Sequence, residues 1–308
     1  MSKILVTGGA GFIASHLTDK LIEKGHNVVV IDNLSTGKKE NLNPKAKFYE
    51  ADICNSEIAQ IFQEEKPEIV FHFAAQIDVR KSVKDPIQDA EVNILGSLNL
   101  LQNCQKAGVK KFIFASSGGA IYGDTDVIPT PETHTENPES PYGICKLTIE
   151  KYLHFYKETF GLNYTALRFA NIYGPRQNSK GEAGVIAVFC DKMLKNQEVV
   201  INGDGEQTRD FVFVDDVINA ALLSMEQEKS DIYNIGAGEE TNINDIFRKI
   251  KELTGSSCEE IHAPSKAGEQ KRSCLDFSKA KEKLNWGPEY NLEKGLENTI
   301  KWFKENEH

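Results

Sequence analysis

The chain has 308 residues, 40% of them hydrophobic, with a formal net charge of −10 and a pI near 5.3. That acidic balance disfavours nucleic acid as a partner, and no apolar run approaches the ~18 residues of a membrane span. The six cysteines, at 54, 104, 145, 190, 258 and 274, are scattered without a C-x-x-C pair. Reduced thiols in a cytoplasmic protein are therefore expected, with neither a disulfide framework nor a metal site. Length alone suggests about two domains. Met1-Ser2-Lys3 leads straight into an apolar run, so no leader segment is expected.

Ile4-Leu5-Val6-Thr7-Gly8-Gly9-Ala10-Gly11-Phe12-Ile13 reads as strand, tight turn and helix, the helix continuing over 12–24. Gly8 and Gly11 remove side chains where backbone would approach a pyrophosphate, and the N–H groups of the helix start face it. The third glycine position holds Ala14. The next strand, 27–31, ends in Asp32, twenty-one residues after Gly11. An acid there is placed to accept hydrogen bonds from adenosine ribose hydroxyls and to repel a 2′-phosphate, which points to NAD over NADP. The polar turn 33–37 either wraps that ribose or is an ordinary surface loop.

Further strands are expected over 47–53, 68–75 and 111–116, alternating with helices over 56–66 and 86–107. This rhythm argues a parallel sheet with helices on both faces, whose ligands sit at the carboxyl ends of the strands. Gly8, Asp32, Asp52, Ala75 and Ser117 all fall there. A polar, proline-rich loop (123–141) precedes a helix over 142–160 and a strand over 164–170. Beyond ~176 the composition changes: a helix within 181–196, a strand at 199–202, a strand at 211–216 with its helix, and a helix over 242–253. The expected division is 1–175 for a dinucleotide-binding domain, with 211–236 returning to it, and 176–308 for a smaller, interleaved one.

Tyr142 and Lys146 are four apart at a helix start and project from one face. A phenol with a pKa of about 10 is a useless base at neutral pH, and lowering it by three units takes roughly 4 kcal/mol. One ammonium at ~6 Å with an effective dielectric of ~20 supplies about 2.8 kcal/mol. A bound, positively charged nicotinamide ring is expected to supply the rest. Alone, the spacing occurs by chance in many surface helices. After a dinucleotide fingerprint and the Ser116-Ser117 strand end, it reads as catalytic.

Thr-Gly-Gly-Ala-Gly-Phe-Ile (7–13), Asp32-Asn33-Leu34, His72-Phe-Ala-Ala75, 116–123, Tyr142-x-x-x-Lys146, Asn171-Ile-Tyr-Gly-Pro-Arg176 and Arg209-Asp-Phe-Val-Phe-Val-Asp-Asp216 resemble the extended short-chain dehydrogenase/reductases. Within that superfamily the chain is similar to the UDP-glucose (UDP-galactose) 4-epimerases, over nearly its whole length. The resemblance implies an α/β fold: a Rossmann-type doubly wound parallel sheet with a smaller, partly interleaved α/β substrate-binding domain. It implies a homodimer through helices 86–107 and 142–160, tightly held NAD, and a UDP-sugar substrate. Cofactor contacts are implied for Gly8, Gly11, Phe12, Ile13, Asp32, Asn33, Ser35, Asp52, Ile53, Phe73, Ala74, Ala75, Gln76, Asn93, Tyr142 and Lys146. Substrate contacts are implied for Ser117, Tyr142, Asn171, Val185, Val200, Asn202, Arg209, Lys266, Glu269, Arg272 and Ser273.

In that family the tyrosine takes the 4′-hydroxyl proton, C4 gives hydride to the nicotinamide, and the 4-keto sugar turns over before hydride returns. Lys146 then binds the nicotinamide ribose and lowers the Tyr142 pKa, and a serine assists at the hydroxyl. Counted back from Tyr122-Gly123, that serine falls on Gly118, one past Ser117; either the loop brings Ser117 in or water replaces it. Gly118, Gly119 and Ala120 stand where dehydratases carry an Asp-Glu pair and decarboxylases a glutamate, so 4-epimerisation is the simplest chemistry left. Arg209 matches the family's diphosphate-binding arginine, and Lys266 replaces its partner, with Arg272 nearby to compensate. Ser273 matches the gate beside the sugar's C2 substituent, where a small residue leaves room for an N-acetyl group. His72 is expected to be a packed structural histidine. A uronate 4-epimerase, or a non-catalytic NAD-binding protein of the same fold, are the alternatives.

Overall fold

The structure, a computed structural model, describes residues 1–180, 184–265 and 270–306. The chain separates into two compact units, one of Met1–Ile121, Thr135–Arg168 and Ile218–Tyr233, the other of Tyr122–His134, Phe169–Val217 and Asn234–His308. Of the segment 211–236, residues Ile218–Tyr233 lie in the first unit.

The first unit is built on strands β1 (Lys3–Thr7), β2 (Asn27–Asp32), β3 (Lys47–Glu50), β4 (Ile69–His72), β5 (Lys111–Ser117) and β6 (Asn163–Phe169). Later in the chain come β7 (Asn171–Tyr173), β8 (Val200–Asn202), β9 (Thr208–Phe213), β10 (Asp231–Ile235), β11 (Glu240–Asn242) and β12 (Ile261–Ala263). The seven-stranded sheet has the order β10-β6-β5-β4-β1-β2-β3, and β1 pairs in parallel with both β2 and β4. Val28, Val29, Val30 and Ile31 are all buried, as a strand covered by helices on both faces requires. One side of the sheet packs Leu5, Val70, Phe112 and Phe114 against Leu100, Leu101, Ile149 and Leu153. The chain leaves β1 toward β2 and β3, then returns to β4 on the other side, so β1 and β4 flank the switch point where such sheets bind ligands.

Several elements differ from the sequence expectation; the strand expected over 68–75 is Ile69–His72, so Ala75 lies beyond its end. β3 stops at Glu50, leaving Asp52 and Ile53 in the turn beyond. The Asp52 carboxylate accepts from Cys54 N at 2.8 Å, a local side-chain bond that competes with the strand ladder. The helix expected over 86–107 is Pro86–Ala90, a π-helical stretch Glu91–Gly96, and Ser97–Ala107. The widened turn places Asn93 so that its amide pairs with the Gln76 backbone on both sides, at 2.9 Å each.

In the second unit β9 pairs in parallel with β7 and antiparallel with β11, and β8 with β12. The strand expected over 211–216 ends at Phe213, and Asp215 and Asp216 lie in the first turn of helix Val214–Met225, where carboxylates suit the helix dipole. The Asp216 carboxylate accepts from Glu289 N and Tyr290 N, and its carbonyl accepts from Trp286 Nε1 at 2.9 Å. That tethers the turn 286–290 to the helix start. No helix among the described residues is long and apolar enough to cross a membrane.

Candidate active site

Gly8 has φ +73°, and a Cβ there would stand 2.8 Å from Ala74 N. Only glycine lets the turn after β1 lie against the one after β4. Helix Phe12–Glu23 then starts at Gly11 with no side-chain cap, so its first N–H groups are open to an anion. Beside them lies a cleft of about 870 Å³, solvent-open space included, lined by Gly8, Gly11, Phe12, Ile13, Asp32, Asn33, Ser35, Asp52, Ile53, Phe73, Ala74 and Ala75. Those expected cofactor residues are thus brought to one cavity. Asp32 accepts from Ala10 N at 3.0 Å and Leu34 N at 2.8 Å. Burial pushes its carboxyl up, and those two bonds hold it back. Each oxygen keeps acceptor capacity for a ribose hydroxyl. An uncapped helix start, a side-chain-free turn and an acid at the second strand end fit a dinucleotide.

Helix Pro141–Phe160 is set by its own ends. Ser140 accepts from Gly143 N at 3.2 Å, Pro141 occupies the first turn, and Gly161 closes it at φ +73°. Tyr142 N donates to Ser82 Oγ at 3.2 Å, and the fully buried Ser82 in turn donates to Val79 O. A Cβ on Gly143 would lie 2.2 Å from Ala120 O, so this helix start sits directly on the short helix Gly118–Tyr122 that follows β5. Lys146, 5% exposed, donates to Ala115 O at 2.8 Å. Its ammonium lies 4.8 Å from the Phe114 ring centroid and 5.6 Å from that of Tyr142. β5 therefore holds the lysine, and the lysine lies under the tyrosine.

The protein groups around the pair act on it chiefly through burial. Burial pushes the Tyr142 hydroxyl well above its ordinary range, and Asp89 pushes it further. Burial lowers Lys146 to about 8, against the pull of Asp89, Cys145 and Glu150. Ser117 is the last residue of β5 and half-buried; its hydroxyl makes no hydrogen bond among the described residues. Ser116 instead donates to Glu150 at 2.6 Å. His72 is fully buried and held down to about 3 by burial and by Lys146, so it is a neutral structural group.

Residues 4–236 match the NAD dependent epimerase/dehydratase family. The chain belongs to that family. NAD is its cofactor, and the lining of the cleft fits a dinucleotide. The family's UDP-glucose 4-epimerase from Mycolicibacterium smegmatis is 41% identical over 308 residues, covering 98% of each chain. Among solved structures, the UDP-glucose 4-epimerase of Thermotoga maritima with UDP-glucose superposes with a TM-score of 0.98 at 53% identity, over 99% of this chain and 100% of that one. The UDP-N-acetylglucosamine 4-epimerase of Methanobrevibacter ruminantium, in complex with UDP-N-acetylmuramic acid, gives 0.94 at 36% identity, over 99% and 98%. This family member thus has the mostly parallel Rossmann-like sheet that its motifs predicted.

The expected substrate residues Asn171, Val185, Val200, Asn202, Arg209, Arg272 and Ser273 all belong to the second unit. Asn171 opens β7, Val185 opens helix Val185–Leu194, and Val200 and Asn202 bound β8. Arg209 lies on β9 and donates from Nη1 to Thr208 O at 2.7 Å. Arg272 forms a two-point ion pair with Glu240, Nε to Oε1 at 3.0 Å, so its guanidinium already has a carboxylate partner. Ser273 is 8% exposed. Lys266 and Glu269 lie outside the described residues. Gln76 and Asn93 stand behind the cleft, tied to one another, and neither they nor Tyr142 and Lys146 line its wall. Sequence reasoning missed Ser82, Asp89 and Gly143. Only Gly143 left a trace, as a glycine inside the helix pattern beside Tyr142. Among the described residues no His, Cys, Asp or Glu cluster suits a metal ion.

Proposed function

We propose that this protein is a UDP-hexose 4-epimerase with a resident NAD. The observation that carries the reading is the contact of Gly143 with Ala120: the helix bearing Tyr142 and Lys146 sits on Gly118-Gly119-Ala120, three residues without a carboxylate. A dehydratase or decarboxylase needs an added acid at that place, and an epimerase needs only a proton acceptor that returns what it takes. NAD, when bound, supplies a reversible hydride acceptor. The glycine turn and the uncapped start of helix Phe12–Glu23 hold its pyrophosphate, and Asp32 accepts from its adenosine ribose. Tyr142 takes and returns the proton of the sugar's 4-hydroxyl, Lys146 fixes the Tyr142 ring from below, and Ser117 binds the same hydroxyl. Arg209, with Lys266 or Arg272, pairs with the diphosphate, and β8 offers its backbone to the uracil.

Small, buried Ser273 supports acceptance of UDP-N-acetylglucosamine and UDP-N-acetylgalactosamine beside the unacetylated pair. The protein is a homodimer in this reading, because Ile87, Leu95, Ile144, Tyr152 and Phe155 are exposed on its expected bundle helices, between 38 and 72%. A cytoplasmic location agrees with six free cysteines. The test is incubation of the purified protein, with no NAD added, with UDP-glucose, UDP-galactose and their N-acetylated counterparts, watching anomeric protons by NMR. Interconversion at C4 is expected; loss of water or carbon dioxide, or no turnover of any sugar, would refute the reading.

A further inference from the structure

The segment that carries Ser273 is held from two sides, all of it within the second unit. On one side Gln270 Nε2 donates to Gly123 O at 2.6 Å, Thr130 N donates to Cys274 O at 2.9 Å, and Asp276 N donates to Thr130 O at 3.0 Å. On the other side Thr208 N donates to Lys271 O at 3.0 Å, and Leu275 N donates to Asp210 at 3.1 Å. Between these anchors Ser273 is 8% exposed, and its hydroxyl makes no hydrogen bond among the described residues.

Glu240 closes this frame. Its Oε1 accepts from Arg272 Nε at 3.0 Å and from the Thr208 hydroxyl, and its Oε2 accepts from Arg272 Nη2. A fork of this kind fixes the plane of the guanidinium as well as its position. The pleat of the strands separates the pair from Arg209. β9 and β11 run antiparallel, with Glu240 opposite Asp210 and Thr241 opposite Arg209. Opposite residues share a face and successive residues alternate, so Thr208, Asp210 and Glu240 lie on one face and Arg209 on the other. Arg272, joined to Glu240, is thus drawn to the face away from Arg209.

We propose that Glu240 is a positioning residue for the sugar site: it captures Arg272, holds Ser273 in register with β9, and so commits Arg272 to the sugar's gate and not to the diphosphate. Arg209 and Lys266 are then left for the diphosphate. One peptide bond links Arg272 to Ser273, so a guanidinium that swings free lets the gate shift by about an ångström, enough to change how a C2 substituent fits. The inference rests on the UDP-sugar reading above and on Ser273 as the gate.

Glu240→Gln and Arg272→Met each open the fork and leave the strand ladder in place. UDP, UDP-glucose and UDP-N-acetylglucosamine are titrated into each variant by calorimetry. The Kd for UDP should stay within about twofold, because no diphosphate ligand is lost, while the ratio of the two sugar-nucleotide Kd values changes by about fivefold or more. The double variant should change that ratio no further than either single variant, since the two side chains act as one unit. Arg272→Lys keeps the charge and loses the fork; it should move the ratio the same way and covers the case in which Arg272→Met misfolds. A loss of about tenfold in UDP affinity in Arg272→Met, or a gain of that order in Glu240→Gln as a competing carboxylate goes, would give Arg272 to the diphosphate and overturn the proposal. An unmoved ratio in the folded variants would reduce the fork to a surface staple and overturn it as well. Failure of the underlying reading shows separately. A protein that binds UDP but converts neither sugar refutes the epimerase and still decides the role of Glu240, whereas no UDP binding by the unaltered protein overturns both.

Discussion

Thr7 Oγ1 lies 2.8 Å from Nδ1 of His72, joining the end of β1 to the end of β4 at the switch point of the sheet. The same hydroxyl oxygen accepts from Phe73 N and Ala74 N at 3.2 Å each, which leaves its own proton for Nδ1. Nε2 of His72 then carries the ring proton and donates to Ser97 Oγ at 2.8 Å, and Ser97 donates to Asn93 O at 2.7 Å. One chain of bonds thus runs from the glycine turn to the π-helical stretch. Thr7→Val strands the Ala74 N–H and a buried ring nitrogen, whereas Phe73 N keeps its bond to the Thr7 carbonyl at 3.3 Å. With roughly 1–3 kcal/mol per stranded group, the unfolding free energy should fall by at least ~2 kcal/mol, read from urea denaturation. A loss below ~0.5 kcal/mol would mean that water replaces the hydroxyl.

Gly143→Ala puts a methyl 2.2 Å from Ala120 O, which is backbone and has little room to give. The start of helix Pro141–Phe160 must shift, and Tyr142 with it. A misplacement of about 1 Å costs on the order of 10²-fold in rate. Turnover should drop by that order with NAD retained, as measured by steady-state kinetics and nucleotide extraction.

Tyr142→Phe removes only the ionisable oxygen. Turnover should fall by 10²-fold or more, the range of a lost general base, with folding and NAD content nearly unchanged. Ser117→Ala should cost less, since the family serine aligns with Gly118. Equal losses would show that Ser117 is the true equivalent.

Ser273→Tyr fills the space expected beside the sugar's C2 substituent. Rejection by overlap is severe, whereas spare room costs a smaller sugar only a few contacts. Turnover of the N-acetylated sugars should fall at least tenfold more than that of UDP-galactose. Parallel losses on both would show that Ser273 is not the gate.

Asp210, fully buried on β9, accepts from Ala237 N at 2.7 Å, Leu275 N at 3.1 Å and Gly238 N at 3.3 Å. Burial nevertheless pushes its carboxyl up from 3.8 to about 6. A carboxyl whose folded pKa lies above its unfolded one keeps its proton in the folded state between those values while the unfolded chain has lost it. Its contribution to stability therefore declines as pH rises from about 4 to about 6 and is flat above. Asp210→Asn should abolish that component of the slope. It should also lower stability at every pH, because an amide offers one acceptor oxygen to three N–H donors. Chemical denaturation at half-unit pH steps checks both.

The local features of this site were legible in the sequence because their causes act within a few residues. Glycines at 8 and 11 are dictated by the closeness of the turns they form, Asp32 by the length of one helix and one strand, and Tyr142 and Lys146 by one helical turn. Ser140-Pro141 and Gly161 likewise mark both ends of that helix. The unbroken apolar runs of β1, β2, β4 and β5 announce a parallel sheet covered on both faces, and sheet order then follows from how such chains wind. Tertiary structure alone decided where charges and close contacts meet. Asp89 reaches Lys146 across more than fifty residues of chain, Arg168 cancels Glu150, Glu240 takes Arg272, and Ala120 leaves Gly143 no room for a side chain. The upward shift of the Tyr142 hydroxyl comes first from burial and then from Asp89. Spacing can place a cation beside a phenol, but burial and a distant carboxylate set the balance, and both depend on neighbours that only the folded chain brings together.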